Sequence, residues 1–481
     1  MTPAGALSPS YGPYRFMNTV DDVNYDLREI AAVAADGTVP EIINLSSGIN
    51  SCHPPQRLVS FVVGAAADPL FWADYDGPYG HVVGRAAVAA CETLRGDGRF
   101  RLGVDNVLVT AGASAAVSVA ARGLRLARTT DPAAGPPRAV VPVPTFSMAA
   151  ACLAQAGFEI AEVPSAQGTR WLPSVAEVIA AGTPGTQVLY LNTFNNPSGE
   201  FYDVAELSRL VTWAKEQDVA ILHDTVSSDI SRAEPIPNLL SIAAAADHLD
   251  GVVTVGSMSK SRAVPGFRVG WLIAADALTR RCARLNDLTA PSSPAIASPA
   301  LLMDRLAAIA GEQSDAADDR PVPAGPTPTV ADAWTEVLDL TAPYLPAFPG
   351  LAEFLDTVAT ELADDGAVGE LVRWRASLRD LLAGNAAILG DEYGDVVGDV
   401  PAWHGDFNTF VELPALRGQD YLATTYRLFR DHGLQTLPAP AFGLDSAWWV
   451  ERGYFTRLSF ALPTETWTEG LQRLRRAVGQ A

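Results

Sequence analysis

Between residues 106 and 273 the chain alternates, at fairly even intervals, between apolar runs of strand length and helical patterns. The apolar runs fall at 106–110, 139–143, 159–163, 187–192, 220–223, 251–255 and 269–273, with helical patterns such as 115–127 and 204–216 between them. Strands joined through helices are crossover-connected and run parallel, and a parallel sheet is stable only with both faces covered. The spacing predicts an α/β fold: a mostly parallel seven-stranded sheet with helices on both faces. In such sheets ligands bind beyond the carboxyl ends of the strands, so the residues that follow each run carry the functional information.

Those residues are chemically distinctive. Gly112, Ala113 and Ser114 follow the first run and open a helix. Backbone N–H groups at a helix start, with a serine hydroxyl beside them, form a phosphate seat, although the same arrangement also serves as ordinary capping. Pro144-Thr145-Phe146 follows the second run, and the turn Asn195-Asn196-Pro197-Ser198-Gly199 comes after the fourth. His223 and Asp224 close the fifth, and a carboxylate buried at a strand end needs a cationic partner. Between the last two runs lies Gly256-Ser257-Met258-Ser259-Lys260-Ser261-Arg262-Ala263-Val264-Pro265-Gly266-Phe267-Arg268-Val269-Gly270. It offers an amine for a carbonyl and an arginine for a phosphate, which are the needs of a Schiff-base cofactor with a phosphate tail. Its place between two core strands argues against a solvated surface lysine.

The segment resembles the lysine segment of the class I/II aminotransferases, the fold-type I family of pyridoxal 5'-phosphate (PLP) enzymes, whose usual form is S-x-S-K-x7-R-x-G. The resemblance implies the fold-type I architecture, with a smaller α+β domain beside the large sheet, and PLP held as a Schiff base on Lys260. It implies that Asp224 faces the ring nitrogen, that Gly112, Ala113, Ser114, Ser257 and Arg268 seat the phosphate, that Phe146 lies against the ring, and that Asn196 bonds the phenolic oxygen. Arg457, in Phe455-Thr456-Arg457-Leu458-Ser459-Phe460, is similar to the arginine that clamps a substrate carboxylate, a task suited to its planar fork. Gly48 resembles the glycine whose loop closes over that carboxylate. Tyr79, in a Y-G-x-x-x-G pattern ending at Gly84, resembles a tyrosine that reaches the phosphate of the neighbouring subunit, which implies a homodimer with shared active sites. The activity implied is transamination between a free amino acid and a 2-oxo acid. The alternative is another PLP-dependent carbanion enzyme acting on a free amino acid: an elimination or replacement lyase, a cyclase or an oxidase. One departure stands out: where the family reads D-x-x-Y, this chain has Asp224-Thr225-Val226-Ser227. A serine is too short to replace the tyrosine's reach, so the lysine imine is expected to be more basic than in tyrosine-bearing relatives.

At 481 residues the chain exceeds a single compact core. The expected division is 1–65 as an N-terminal segment and part of the small domain, 66–300 as the large PLP-binding domain, 301–350 as an irregular insertion, and 351–481 as the C-terminal small domain. Within the insertion, 315–328 is rich in Asp, Pro and Ala and reads as a surface loop, an active-site lid or a partner-contacting element. A net charge of −21 opposes nucleic-acid binding. No apolar run is long enough to span a membrane and no signal peptide is evident. Cys52, Cys91, Cys152 and Cys282 lack paired spacing, which points to free thiols in a reducing cytoplasm and to no metal site. Aminotransferase-like transcription regulators carry a helix-turn-helix domain ahead of this fold, and only a short segment precedes it here. An inactive scaffold would be expected to lose Lys260 or Asp224. The substrate side chain is unspecified; His53, Tyr75, His81, Trp448 and Trp449 are candidates for lining its pocket.

Overall fold

The computed structural model describes residues 40–46, 48, 50–71, 76–127, 136–165, 170–228, 236–289, 295–317, 327–363 and 366–479. The expectations for residues 1–39, for Tyr75 and for 318–326 lie outside the described residues. The regular structure opens with a two-residue strand, β1 (Ile43–Asn44). The large sheet then forms from β2 (Val107–Ala111), β3 (Arg138–Val143), β4 (Glu159–Pro164), β5 (Thr186–Asn192), β6 (Ala220–Asp224), β7 (Val252–Ser257) and β8 (Val269–Ile273), in the spatial order β2-β8-β7-β6-β5-β3-β4. Only β8 runs against its neighbours. The pairs β3–β4, β3–β5, β5–β6 and β6–β7 are parallel.

Side chains along each central strand alternate between two cores, as the pleat demands. Ile221 and Val252 join one core, with helices Val82–Arg95, Val204–Glu216 and Ser298–Ala317. Ala220, Leu222, Val253 and Val255 join the other, with helices Ala113–Ala127 and Asp276–Thr289. Burial on both faces explains why these strands read as continuous apolar runs, and each large side chain so buried is worth about 1.5–3 kcal/mol. Register brings the strand ends to one edge: Asn192 pairs with Asp224, Asp224 with Val255, Ser257 with Gly270, and Ala111 with Val269. Gly112, Thr193, Thr225, Met258 and Arg268 therefore leave the sheet side by side.

A second core gathers the C-terminal residues around a small antiparallel sheet of β9 (Asn408–Glu412), β11 (Leu437–Pro438) and β12 (Phe455–Ser459). A short strand between them in the chain, β10 (Leu434–Gln435), pairs in parallel with β1. The early segment is bound to this unit beyond β1 as well: Leu45 N–H donates to Gln435 O at 3.0 Å, Ser459 N–H to Leu45 O at 2.7 Å, and Ser51 N–H to Ala461 O at 3.1 Å.

The 301–350 stretch differs from its expected irregular form. It holds most of the helix Ser298–Ala317 and the whole of Val330–Thr341. The first is buried on nearly every side, Arg305 and Asp304 included, so it lacks the one-sided pattern that marks a surface helix. The second is started by a capping box between Thr329 and Asp332. Leu351, Phe354, Leu355, Val358, Ala367 and Leu371 pack into the large-sheet core, and the C-terminal core begins at Leu378, partway along the helix Ala367–Glu392. Among the described residues, no helix is long and apolar enough to cross a membrane.

Candidate active site

At the β2 end, Gly112 takes φ +84° and hands the chain to the helix Ala113–Ala127. A Cβ on Gly112 would lie 2.7 Å from a guanidinium nitrogen of Arg268, and one on Gly270 would lie 2.4–2.5 Å from the backbone of Gly112 and Ala113. Both glycines are thus required by close approach. Arg268 itself sits in the left-handed region at φ +56°, and its guanidinium donates to Ala111 O and Pro265 O at 3.3 and 3.1 Å. Ser114 is half-buried in the first turn of the helix. Ser257 caps the short helix Met258–Ser261: its Oγ accepts from Ser259 N–H at 3.1 Å, donates to Val269 O at 2.7 Å and shares a 2.8 Å contact with Ser259 Oγ. That helix carries Lys260. The amine is pushed down to about 8, by burial first and then by the positive charge of Arg457, while Asp406 raises it and Arg268 lowers it further.

Asp224 ends β6 and is buried, 4% exposed. Its carboxylate accepts from Tyr190 O–H at 3.2 Å and from Val226 N–H at 3.0 Å. Burial pushes it up to about 6, and the hydrogen bonds from Val226 and Tyr190 only partly oppose that; no cation contributes. His223 faces the other side of the sheet, 3.0 Å from the Thr193 hydroxyl, where it borders a separate cavity of about 100 Å³; burial lowers it to about 4.

Arg457, on β12, is 7% exposed and is lowered to about 10 by burial, with Asp406 opposing. Its Nε donates to Ser46 Oγ at 3.1 Å, one terminal nitrogen to Asn196 Oδ1 at 3.0 Å, and the other to the carbonyl of Ser46. A Cβ on Gly48, which has φ +54°, would lie 3.0 Å from that guanidinium. Asn196 N–H in turn donates to Asn192 Oδ1 at 2.8 Å, and Asn50 Nδ2 reaches Lys260 O at 3.4 Å. Two distant segments, 46–48 and the Asn196 turn, therefore converge on one arginine.

The fold thus brings Gly112, Ala113 and Gly270 against one another with Arg268 on Gly112, and brings Gly48 and Asn196 onto Arg457; both arginines bear on the charge of Lys260. Asp224 stands at the adjoining strand end, and Phe146 half-buried at the start of the helix Ser147–Gln155. Tyr79 is differently engaged: its ring lies 4.8 Å from the Arg85 guanidinium carbon and its carbonyl accepts from Val109 N–H at 3.0 Å. Four of the five pocket candidates lie among the described residues. Trp449 is fully buried and donates to Gly443 O at 2.9 Å, Trp448 carries Arg452 on its ring at 3.5 Å, His81 caps the helix Val82–Arg95, and His53 O accepts from Trp374. Sequence reading missed three members: Ser46, Tyr190 and Asp406. Tyr190 is hidden in an apolar run, and Asp406, beside Gly405, has the look of a turn residue; neither carries a local signal.

The family model for aminotransferase class I and II matches residues 40–317. Among curated proteins, the chain is similar to an aspartate aminotransferase of Streptomyces avermitilis, 26% identical over 232 residues that make up 48% of this chain and 54% of that protein. It is also similar to a capreomycidine synthase of Streptomyces vinaceus, 29% identical over 178 residues, 37% of this chain and 43% of that protein. The chain spans about half the length of these relatives. Over nearly its whole length the fold resembles Thermus thermophilus aspartate aminotransferase with maleate, with a TM-score of 0.67, 18% identity, and 96% of this chain and 98% of that one covered.

Proposed function

Because the chain belongs to the class I and II aminotransferase family, we propose that it is a PLP-dependent aminotransferase that moves an amino group between a free amino acid and a 2-oxo acid. The observation that carries this reading is the setting of Lys260, a half-buried amine lowered to about 8 by burial and by the charges of Arg457 and Arg268. One cation then serves a carboxylate and the other a phosphate.

The residues present fit the cofactor. Asp224, buried with no cation contributing, would meet a protonated ring nitrogen. The helix start at Ala113, with Ser114 and Arg268, would hold the phosphate, and Ser257 would hold the lysine helix in place by its bonds to Ser259 and Val269. Phe146 would lie against the ring and Asn196 would bond the phenolic oxygen. When bound, PLP supplies an electron sink that lets a proton leave the carbon beside an amino group. Arg457 holds the substrate carboxylate, kept in place by Ser46 and Asn196. Lys260 Nζ, brought near neutrality, takes that proton and returns it. Asp224 stays ionised against its cation once burial is offset by the pair.

We read the working unit as a homodimer, on the resemblance of Tyr79 to the family tyrosine that reaches the phosphate of a neighbouring subunit. The four free cysteines favour a reducing cytoplasm. For the chain's division, the large unit is best taken through about residue 371, and 43–51 is best grouped with the C-terminal unit. The alternative carbanion chemistries are favoured by one observation, Ser227 in place of the family tyrosine. Mixing pure enzyme with amino acids and no 2-oxo acid separates the two: stoichiometric conversion of the cofactor to its amino form supports transamination, whereas repeated turnover releasing ammonia rules it out as the main activity.

A further inference from the structure

Arg262 has no part in the roles above, and the family pattern leaves its position open, yet it directly follows the turn that carries Lys260. Met258–Ser261 is one turn of helix, too short to hold itself, and the chain leaves it through Ala263 at φ +56°, a conformation that a residue with a Cβ keeps only where its surroundings impose it. Ser257 fixes the start of the turn through Ser259 and Val269. At its end, Arg262 N–H donates to Met258 O at 3.2 Å, and the Arg262 guanidinium folds back to donate to Ser261 O at 2.9 Å. An ion pair then ties that end to the helix Ser298–Ala317: Asp304 Oδ1 lies 2.7 Å from Arg262 Nε, off the hydrogen-bonding direction. Asp304 Oδ2 accepts from Arg305 Nε at 2.9 Å and from a terminal nitrogen at 2.5 Å. All three side chains belong to residues with 1% exposure or less. The Arg305 guanidinium carbon lies 4.7 Å from the centre of the Trp271 ring, and Trp271 is the cross-strand partner of Gly256, where a Cβ would come within 2.4 Å of that ring. Two adjacent residues of one helix therefore grip the lysine loop at both ends, Arg305 through Trp271 at Gly256 and Asp304 at Arg262.

We infer that Asp304 is a positioning residue for Lys260: acting through Arg262, it fixes the lysine turn so that Nζ stands where it takes the proton and returns it. The inference rests on the reading of Lys260 as the Schiff-base lysine. Stability alone is a poor reason for the cluster, because three charges lose their hydration on burial and apolar side chains of similar size hold a core at least as well. What a buried charge pair adds is one fixed arrangement in place of several. A turn free to shift by about 1 Å would misplace the amine and leave the bonds of Arg457 to Ser46 and Asn196 as they are. The quantity at stake is therefore turnover and not substrate binding.

The test uses holoenzyme. Arg262→Met keeps an unbranched side chain, removes its charge and leaves Asp304 paired with Arg305, whereas Asp304→Asn weakens the same link from the other end. In Arg262→Met, kcat should fall about 10- to 100-fold while KM for an amino acid that the wild type converts stays within about twofold. A brace that served stability alone would leave the visible circular dichroism of bound PLP unmoved, since that signal reports how rigidly Lys260 holds the ring. Divided by cofactor absorbance, it should fall in Arg262→Met, with the far-ultraviolet spectrum of the folded chain unchanged. The double variant should lose no more kcat than Arg262→Met alone, because the two residues act as one unit. If Asp304→Asn does not fold, kcat and the visible signal of Arg262→Met decide by themselves. Wild-type values of both in that variant, a loss carried by KM, or additive losses in the double variant overturn the inference. A wild type that takes up no PLP instead overturns the functional reading beneath it.

Discussion

The phosphate side and the carboxylate side of the site are built in opposite ways. On the phosphate side, Ser257, Lys260, Arg268 and Gly270 come from one continuous run between two strands, and the closest approaches are backbone against glycine. On the carboxylate side, Ser46, Gly48, Asn196 and Arg457 come from three separate stretches and meet at the Arg457 side chain. The first is fixed by the sheet register, which tolerates almost no adjustment. The second depends on two cores keeping their relative places, and its groups are charged, buried and mutually dependent. A rigid seat for a cofactor beside an electrostatically tuned seat for a substrate is a division of labour that mutations can separate.

The strongest way to sharpen the contrast is to remove the amine that both sides share. Lys260→Ala should lower turnover by on the order of 10⁴-fold while leaving the fold intact, as steady-state rates and melting curves would show. Next comes the carboxylate side alone. A lysine cannot keep bonds to Ser46 and Asn196 together, so Arg457→Lys should raise KM by about 10- to 100-fold with cofactor affinity unchanged. If cofactor affinity falls equally, the two sides are not separable.

Stability should distinguish them too. Burial raises Asp406 to about 6, above its ordinary value of 3.8, so the folded state binds more protons than the unfolded state between those values and stability falls as pH rises through that window. Asp406→Asn should therefore gain stability relative to the wild type as pH rises from 4 to 8. Melting at several pH values measures this, and a variant that lost relative stability over that range would contradict it. On the phosphate side the sign reverses: Gly270→Ala forces a Cβ against the backbone of Gly112 and Ala113 and should cost about 2 kcal/mol in denaturant unfolding at any pH. The smallest effect is expected from Tyr190→Phe, which removes one hydrogen bond to Asp224. At about 1 kcal/mol it should weaken cofactor binding roughly fivefold and leave substrate KM alone.

The same contrast explains what the sequence could tell. The sheet was legible because its strands are buried on both faces and leave unbroken apolar runs, and the phosphate side because its residues fall into two short runs, each directly following a strand. Gly48, Asn196 and Arg457 were reached through family resemblance; spacing alone does not join them, since their contacts span hundreds of residues. Asp406 left no trace, because a single Asp next to a glycine has the composition of a turn and acquires meaning only from burial. The helix Ser298–Ala317 was obscured for a related reason: immersed on nearly all sides, it carries no polar face to set its period.

The bonds from Arg457 to Ser46 have a bearing on synthesis. They tie one of the earliest described residues to one of the latest, so a growing polypeptide completes its lysine, its aspartate at 224 and its glycine-lined seat long before the clamp exists. A product that stops short of β12 would hold Asp224, Lys260 and the Gly112–Gly270 contact and lack Arg457, on which Ser46 and Asn196 converge.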